Sequence, residues 1–234
     1  MDRRMNRQRN VLIFDWGGGT FDVSIMSIEN EKFEVKAVGG DAHLGGEDIT
    51  SRLVDHFVEI FREEHKGKDL TTNRKAISRL REKCEEAKKI LSLAKSTHVE
   101  IVPLFDYIDF SASLTQARFE HLCSDLFSRT MDAVKTEMSD AKMTKADVDE
   151  ILLVGGSTRI PKVAKMLQDF FEVKDVKRFI NADEAVAHGA AVLAANLTGQ
   201  NSAAMRDLEG WTDDKLDDAE YSARMKGNLK THQK

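Results

Sequence analysis

Cysteine, proline, tryptophan and tyrosine each occur only twice in the 234 residues. Two thiols, Cys84 and Cys123, cannot build a disulfide framework, and a cysteine-based zinc site would lack ligands. So few cysteines fit a reducing compartment, and a cytoplasmic protein is expected. The seven histidines form neither a His-Glu-x-x-His pattern nor a close cluster, so no metal motif is visible. Two prolines exclude a proline-rich or collagen-like chain. Long hydrophobic runs are missing as well. The first, Val11 to Phe14, is too short for a signal-peptide core, and no stretch approaches the roughly 20 apolar residues of a spanning helix. No membrane partner is expected. Neither sign of charge dominates: 35 Lys and Arg face 40 Asp and Glu, a net charge of −5. That excludes a broad basic surface for nucleic acid.

What is present is ordinary globular material, 41% hydrophobic and 32% charged, enough for one sizeable core or two small subdomains. Residues 1–9 carry four arginines and no core pattern, and read as a disordered basic tail. Val11 to Phe14 reads as a buried strand. Phe21, Val23, Ile25 and Ile28 read as a second, and Phe33, Val35, Ala37 and Val38 as a third. Gly17-Gly18-Gly19 and Glu29 to Lys32 break them, so a three-strand antiparallel meander is predicted. Apolar stripes predict helices over 47–65, 73–93 and 115–137, with a hairpin over 97–113. Asp149 to Val154 reads as another buried strand, followed by helices over 161–171 and 183–197. Residues 198–234 are polar with scattered apolar positions, and read as a mobile tail with a short helix near 213–226. The order of elements predicts an α/β domain with a small α+β insertion.

Four segments carry candidate chemistry. Asp15-Trp16-Gly17-Gly18-Gly19-Thr20-Phe21-Asp22 joins two strands. Successive glycine amides approach an anion closely and form an anion-binding concavity, and Thr20 adds a hydroxyl. Asp15, at the end of a buried strand, is placed to hold a magnesium ion through water. A flexible hairpin turn explains the three glycines alone; the flanking acids and the buried strand favour the phosphate reading. This is not a Walker loop, since the Gly67-Lys68 pair is followed by Asp69, nor a Rossmann fingerprint, since Asp22 stands where the third glycine belongs. Gly155-Gly156-Ser157-Thr158-Arg159-Ile160-Pro161 follows a buried strand and opens a helix, a place where a ligand can lie on backbone or a turn can simply be tight. Arg159 in the final glycine position rejects a hydrolase nucleophile elbow at Ser157. Glu85, Lys88, Lys89 and Ser92 share one helical stripe that is either a nucleoside contact or a solvated face. Asn181 or Asp183 caps the last predicted helix.

Together these segments resemble the heat shock protein 70 chaperone family, over about Asn10 to Ala195. FDWGGGTFDVSI, GGDAHLGGEDI, VGGSTRIPKV and NADEAVAHGAAV are near-verbatim family motifs. The resemblance is to the second lobe of the family's ATPase domain, so it implies an actin-like, ribonuclease H-like ATPase lobe. It implies an inner nucleotide-binding subdomain of 10–46 and 115–197, and an outer helix and hairpin subdomain of 47–114. By resemblance, Gly17, Gly18, Gly19 and Thr20 are the second phosphate loop, and Asp15 and Asp22 lie near magnesium and its waters. Glu85, Lys88, Lys89 and Ser92 correspond to the adenosine-holding helix, Gly155, Gly156, Ser157 and Arg159 to the adenosine turn, and Asp183 to an acid near the ribose. ATP or ADP with magnesium are the implied cofactors. Trp16 stands where the family usually has Leu, Lys89 where it has Arg, Ala182 for Pro and His188 for Tyr.

Nothing before Asn10 corresponds to the first lobe, which supplies another phosphate loop, another acid and a Lys for hydrolysis. The resemblance therefore implies a nucleotide-binding lobe with negligible hydrolysis alone. The alternatives are a non-enzymatic module for a nucleotide-exchange factor, docking on the outer part, or a truncated product with no function of its own.

Overall fold

The computed structural model describes residues 8–29, 32–172 and 185–197. The chain forms two compact units, Met1–Lys177 and Arg178–Lys234. In the first unit, β1 (Arg9–Trp16), β2 (Phe21–Glu29) and β3 (Lys32–Asp41) form the expected antiparallel meander. Phe21, Val23, Ile25 and Ser27 alternate into the interior along β2, the period-2 pattern of a half-buried strand. β1 begins at Arg9, two residues before the strand expected from Val11 and inside the tail expected over 1–9, because Arg9 still pairs with Ile28 and reaches Glu150 at 3.4 Å.

α1 (Gly46–Glu64) buries Ile49, Leu53, Phe57 and Phe61 on the stripe the spacing predicts. α2 (Arg74–Leu91) opens on Asn73, whose side chain accepts from the Lys75 and Ala76 amides at 3.1 Å, satisfying two orphan donors of the first turn. The hairpin follows as β4 (Ser96–Phe105) and β5 (Ile108–Thr115). The predicted helix 115–137 is instead two helices, α3 (Gln116–Leu122) and α4 (Ser124–Asp140). The break is at Cys123, whose φ and ψ of −106° and 13° leave the helical basin. Arg52 of α1 takes the Leu122 carbonyl at 2.9 Å and grips Asp125 with both terminal nitrogens, which anchors the break.

β6 (Glu150–Val154) then returns to pair with β1 in parallel, from Val11 opposite Glu150 to Asp15 opposite Val154. The strand order is β3-β2-β1-β6. A 3₁₀ turn over Gly156–Arg159 leads to α5 (Pro161–Phe171), with Pro161 in the first turn, where its missing N–H costs nothing. The parallel pairing puts the ends of β1 and β6 side by side. The GGGT loop and the Gly155 turn therefore emerge at one edge of the sheet, the place where open α/β sheets bind ligands.

The core is continuous. Phe14, Trp16, Phe21, Phe119 and Phe127 form one aromatic cluster beneath that edge, and Phe57, Phe61, Phe105 and Phe110 another between α1 and the hairpin. In the second unit, α6 (Ala185–Leu197) is the described element. The expected tail 198–234, the cap residues Asn181 and Asp183, and residues 1–7 lie outside the described residues. No helix among the described residues is long and apolar enough to cross a membrane.

Candidate functional site

Gly17 to Thr20 is a four-residue connection, closed by Gly17 N donating to Thr20 O at 3.0 Å, between the last β1–β2 pair, Trp16 and Phe21. Two further carbonyls of the loop are held from outside it. Gly46 N donates to Gly17 O at 3.0 Å, Glu47 N donates to Gly18 O at 2.8 Å, and the Ser157 hydroxyl donates to Gly17 O at 2.9 Å. These peptide bonds are trans, so the N–H of Gly18 and of Gly19 points opposite to the carbonyl before it. The first turn of α1 thus holds the loop by its carbonyls and turns the loop amides outward. Cβ atoms built on Gly18 and Gly19 meet no atom within 4 Å, so that outer face is open.

Glycine is required around the loop for closeness. A Cβ on Gly45 would overlap the Gly18 carbonyl and come within 2.5 Å of the Gly19 carbonyl carbon. Gly155 has a φ of +83°, and a Cβ there would overlap Trp16 O and lie 2.8 Å from the Asp15 carboxylate. A Cβ on Gly46 would lie 2.8 Å from the Ser157 hydroxyl. Gly45 is therefore packed backbone to backbone against the loop, Gly155 against Trp16 just before it, and Gly46 against the Ser157 side chain. Gly45 and Gly46 have no role in the sequence reading, although they sit in the quoted GGDAHLGGEDI segment; the pairing of that segment with the loop is a tertiary fact.

Asp15 and Asp22 are cross-strand partners flanking the loop. Burial raises the Asp15 carboxyl above the usual carboxylate range, and the charge of Asp22 raises it further. Thr20 donates to Asp22 at 3.1 Å. Two neighbouring carboxylates beside outward-facing amides fit a cation bound to a polyphosphate. Among the described residues no group of three or more His, Cys, Asp or Glu is arranged to hold a metal ion.

The Glu85 stripe is not a solvated face. Lys88, with a side chain only 11% exposed, donates to Gly46 O at 2.9 Å and Thr50 Oγ1 at 3.1 Å, and pairs with Glu85 at 2.6 Å. Thr50 donates to Glu85 at 2.7 Å. Burial works to raise the Glu85 carboxyl, but the hydrogen bonds from Lys88 and Thr50 and the charges of Lys88 and Lys89 outweigh it and hold it below the usual range. Lys88 thereby ties α2 to the α1 turn that holds the loop. Lys89 projects outward, 66% exposed and 3.5 Å from Glu85, and Ser92 donates to Lys88 O at 3.2 Å. Ser157 is buried against the loop, Gly156 is exposed, and Arg159 is half-buried at the end of the 3₁₀ turn. Asp183 lies outside the described residues. So the structure joins Gly17, Ser157, Lys88 and Glu85 in one hydrogen-bonded chain through Gly46 and Thr50.

Cys84 and Cys123 are fully buried, and burial pushes both thiols up to about 12, which rules out a thiolate nucleophile. A surface cleft of about 540 Å³ between α3, α4 and α5 includes Glu120, Phe127 and Lys162 but no candidate residue.

The family model described as Hsp70 protein matches residues 2–210. The chain belongs to the Hsp70 family. It is 58% identical over 202 residues to a heat shock 70 kDa protein of Penicillium citrinum, 55% over 202 residues to one of Neurospora crassa, and 54% over 198 residues to heat shock cognate 70 kDa protein 3 of Dictyostelium discoideum. Those matches cover 86%, 86% and 85% of this chain but 40%, 31% and 31% of the relatives. The chain thus spans well under half the length of these Hsp70 relatives.

Proposed function

We propose that this chain is an ATP- or ADP-binding lobe of the Hsp70 type, with the actin-like ATPase architecture that the family resemblance implies. The observation that carries the reading is the loop whose carbonyls are pinned to α1 and Ser157, leaving the amides of Gly18 and Gly19 outward. Those amides and Thr20 would hold the phosphates, with Asp15 and Asp22 facing the waters of a magnesium ion. Magnesium would supply charge neutralisation at the phosphates. Glu85, Lys88, Lys89, Ser92, Gly155, Gly156, Ser157, Arg159 and Asp183 would form the nucleoside side. A cytoplasmic setting, with inner and outer subdomains divided at 46 and 115, belongs to the same reading.

Phosphoryl transfer depends on charge stabilisation all around the γ-phosphate. One loop and two acids supply only part of such a cage, so the 234 residues alone are expected to bind Mg-ADP and turn over ATP negligibly. Calorimetric titration tests the first statement; no heat of binding at millimolar nucleotide overturns it. Steady ATP turnover abolished in Asp15→Ala would overturn the second.

A second reading, a docking module for a nucleotide-exchange factor, is favoured by the hairpin tip. Tyr107 there is 96% exposed, with Asp106 and Tyr107 at φ of 47° and 63°. Loss of exchange-factor binding in Tyr107→Ala, with Mg-ADP affinity unchanged, is the expected result.

A further inference from the structure

We propose that Trp16 is a positioning residue for the phosphate loop, and a built-in optical reporter of that loop; this rests on the nucleotide-binding reading above. Trp16 is the residue immediately before Gly17, and its side chain is fully buried, 0% exposed. It therefore acts on a ligand only through its neighbours. Those neighbours are the three segments that surround the loop. Its indole N–H donates to Leu44 O at 3.1 Å, and Leu44 lies two residues before Gly46, whose amide, with that of Glu47, holds the loop carbonyls. Its backbone oxygen lies against Gly155, so closely that a Cβ there would overlap it. Its ring meets Phe21, the residue after the loop, edge-on at 6.4 Å between centroids, and Phe127 of α4 at 5.6 Å.

A leucine in this place would fill space but could not donate. The indole N–H adds a directional tether between the start of the loop and the start of α1. A buried donor with one acceptor fixes distance as well as contact, because leaving it unmet costs the full desolvation of the group. The tether sets how far the Gly17 and Gly18 carbonyls stand from the amides of Gly46 and Glu47, and hence how the loop amides are aimed. Any ligand-driven shift of the loop is transmitted to the indole environment.

The test uses the whole chain and Mg-ADP. Trp16→Phe keeps an aromatic ring and removes the N–H. Phe61→Leu, in the distant α1–hairpin core, serves as a matched loss of packing. Trp16→Phe is expected to weaken Mg-ADP binding about fivefold by calorimetry, the factor for one net hydrogen bond, while Phe61→Leu leaves affinity unchanged. In Trp211→Phe, where Trp16 is the remaining indole, emission is expected to shift on Mg-ADP addition and saturate at the calorimetric Kd. Equal affinity in Trp16→Phe, an equal loss in Phe61→Leu, or silent Trp16 emission overturns the proposal. If Trp16→Phe does not fold, the emission measurement alone decides. Wild-type protein that fails to bind Mg-ADP overturns the nucleotide reading itself, which separates the two failures.

Discussion

Gly45 and Gly18 face each other across the loop and respond oppositely to an added methyl. On Gly45 the methyl would overlap the loop backbone, which cannot swing aside as a flexible side chain would. Gly45→Ala is expected to displace the loop and lower Mg-ADP affinity at least tenfold by calorimetry. On Gly18 the methyl meets no protein atom. Gly18→Ala should keep the melting temperature within about 1–2 °C, the scale of a neutral surface change, yet weaken binding by crowding the face proposed for phosphate. Glu137 of α4 shows the same kind of close approach. It is only 8% exposed, and its carboxylate occupies the space that Gly39 leaves without a side chain. Burial raises its carboxyl, and Asp140 adds to the effect. The folded-state value lies above the unfolded one, so the group favours folding at low pH and that contribution is lost as pH rises through the folded value. Glu137→Gln should therefore raise the melting temperature at pH 7, with the gain shrinking toward pH 4.

At the scale of elements, α2 is fastened to α1 by polar groups at the site end and by apolar packing elsewhere. Lys88→Met would leave Glu85 half-buried with only Thr50 and the exposed Lys89 beside it. Removing one partner of such a network costs about 1–3 kcal/mol, read as a shift of the denaturant midpoint. Glu85 is held below its usual range, so its contribution is present at neutral pH and lost as pH falls through the folded value. The Lys88→Met deficit should accordingly narrow in acid. The division of α3 from α4 at Cys123 belongs to this scale too. The apolar stripe over 115–137 is unbroken in sequence, and the break depends on Arg52, more than 60 residues earlier, capturing the Leu122 carbonyl.

Across the described four-stranded sheet, β1 and β2 are paired on both sides, β1 by β2 and β6, whereas β3 and β6 lie at the sheet edges. Amides of Leu12 and Phe14 should exchange with solvent among the slowest, and those of β3 much faster, in a hydrogen-exchange experiment. The meander, the helices α1, α2 and α5, the hairpin and the glycine loop are all legible in the sequence. Each is set by local signals: a period of 2 or 3.6, an Asn cap, a proline in a first turn, glycine breaks.

Within the site, local signals identified the loop and its acids but not their supports. The sequence by itself determined which peptide segments combine successive glycines with flanking carboxylates, because glycine content and strand ends are local properties. Only the tertiary structure decided that β6 pairs in parallel with β1, which brings Gly155 against Trp16 from about 140 residues away. It likewise decided that Lys88 and Ser157 hold the loop through Gly46 and Gly17, and that Trp16 reaches Leu44. Those contacts follow from burial of one shared core, which fixes distances between segments that no local pattern encodes.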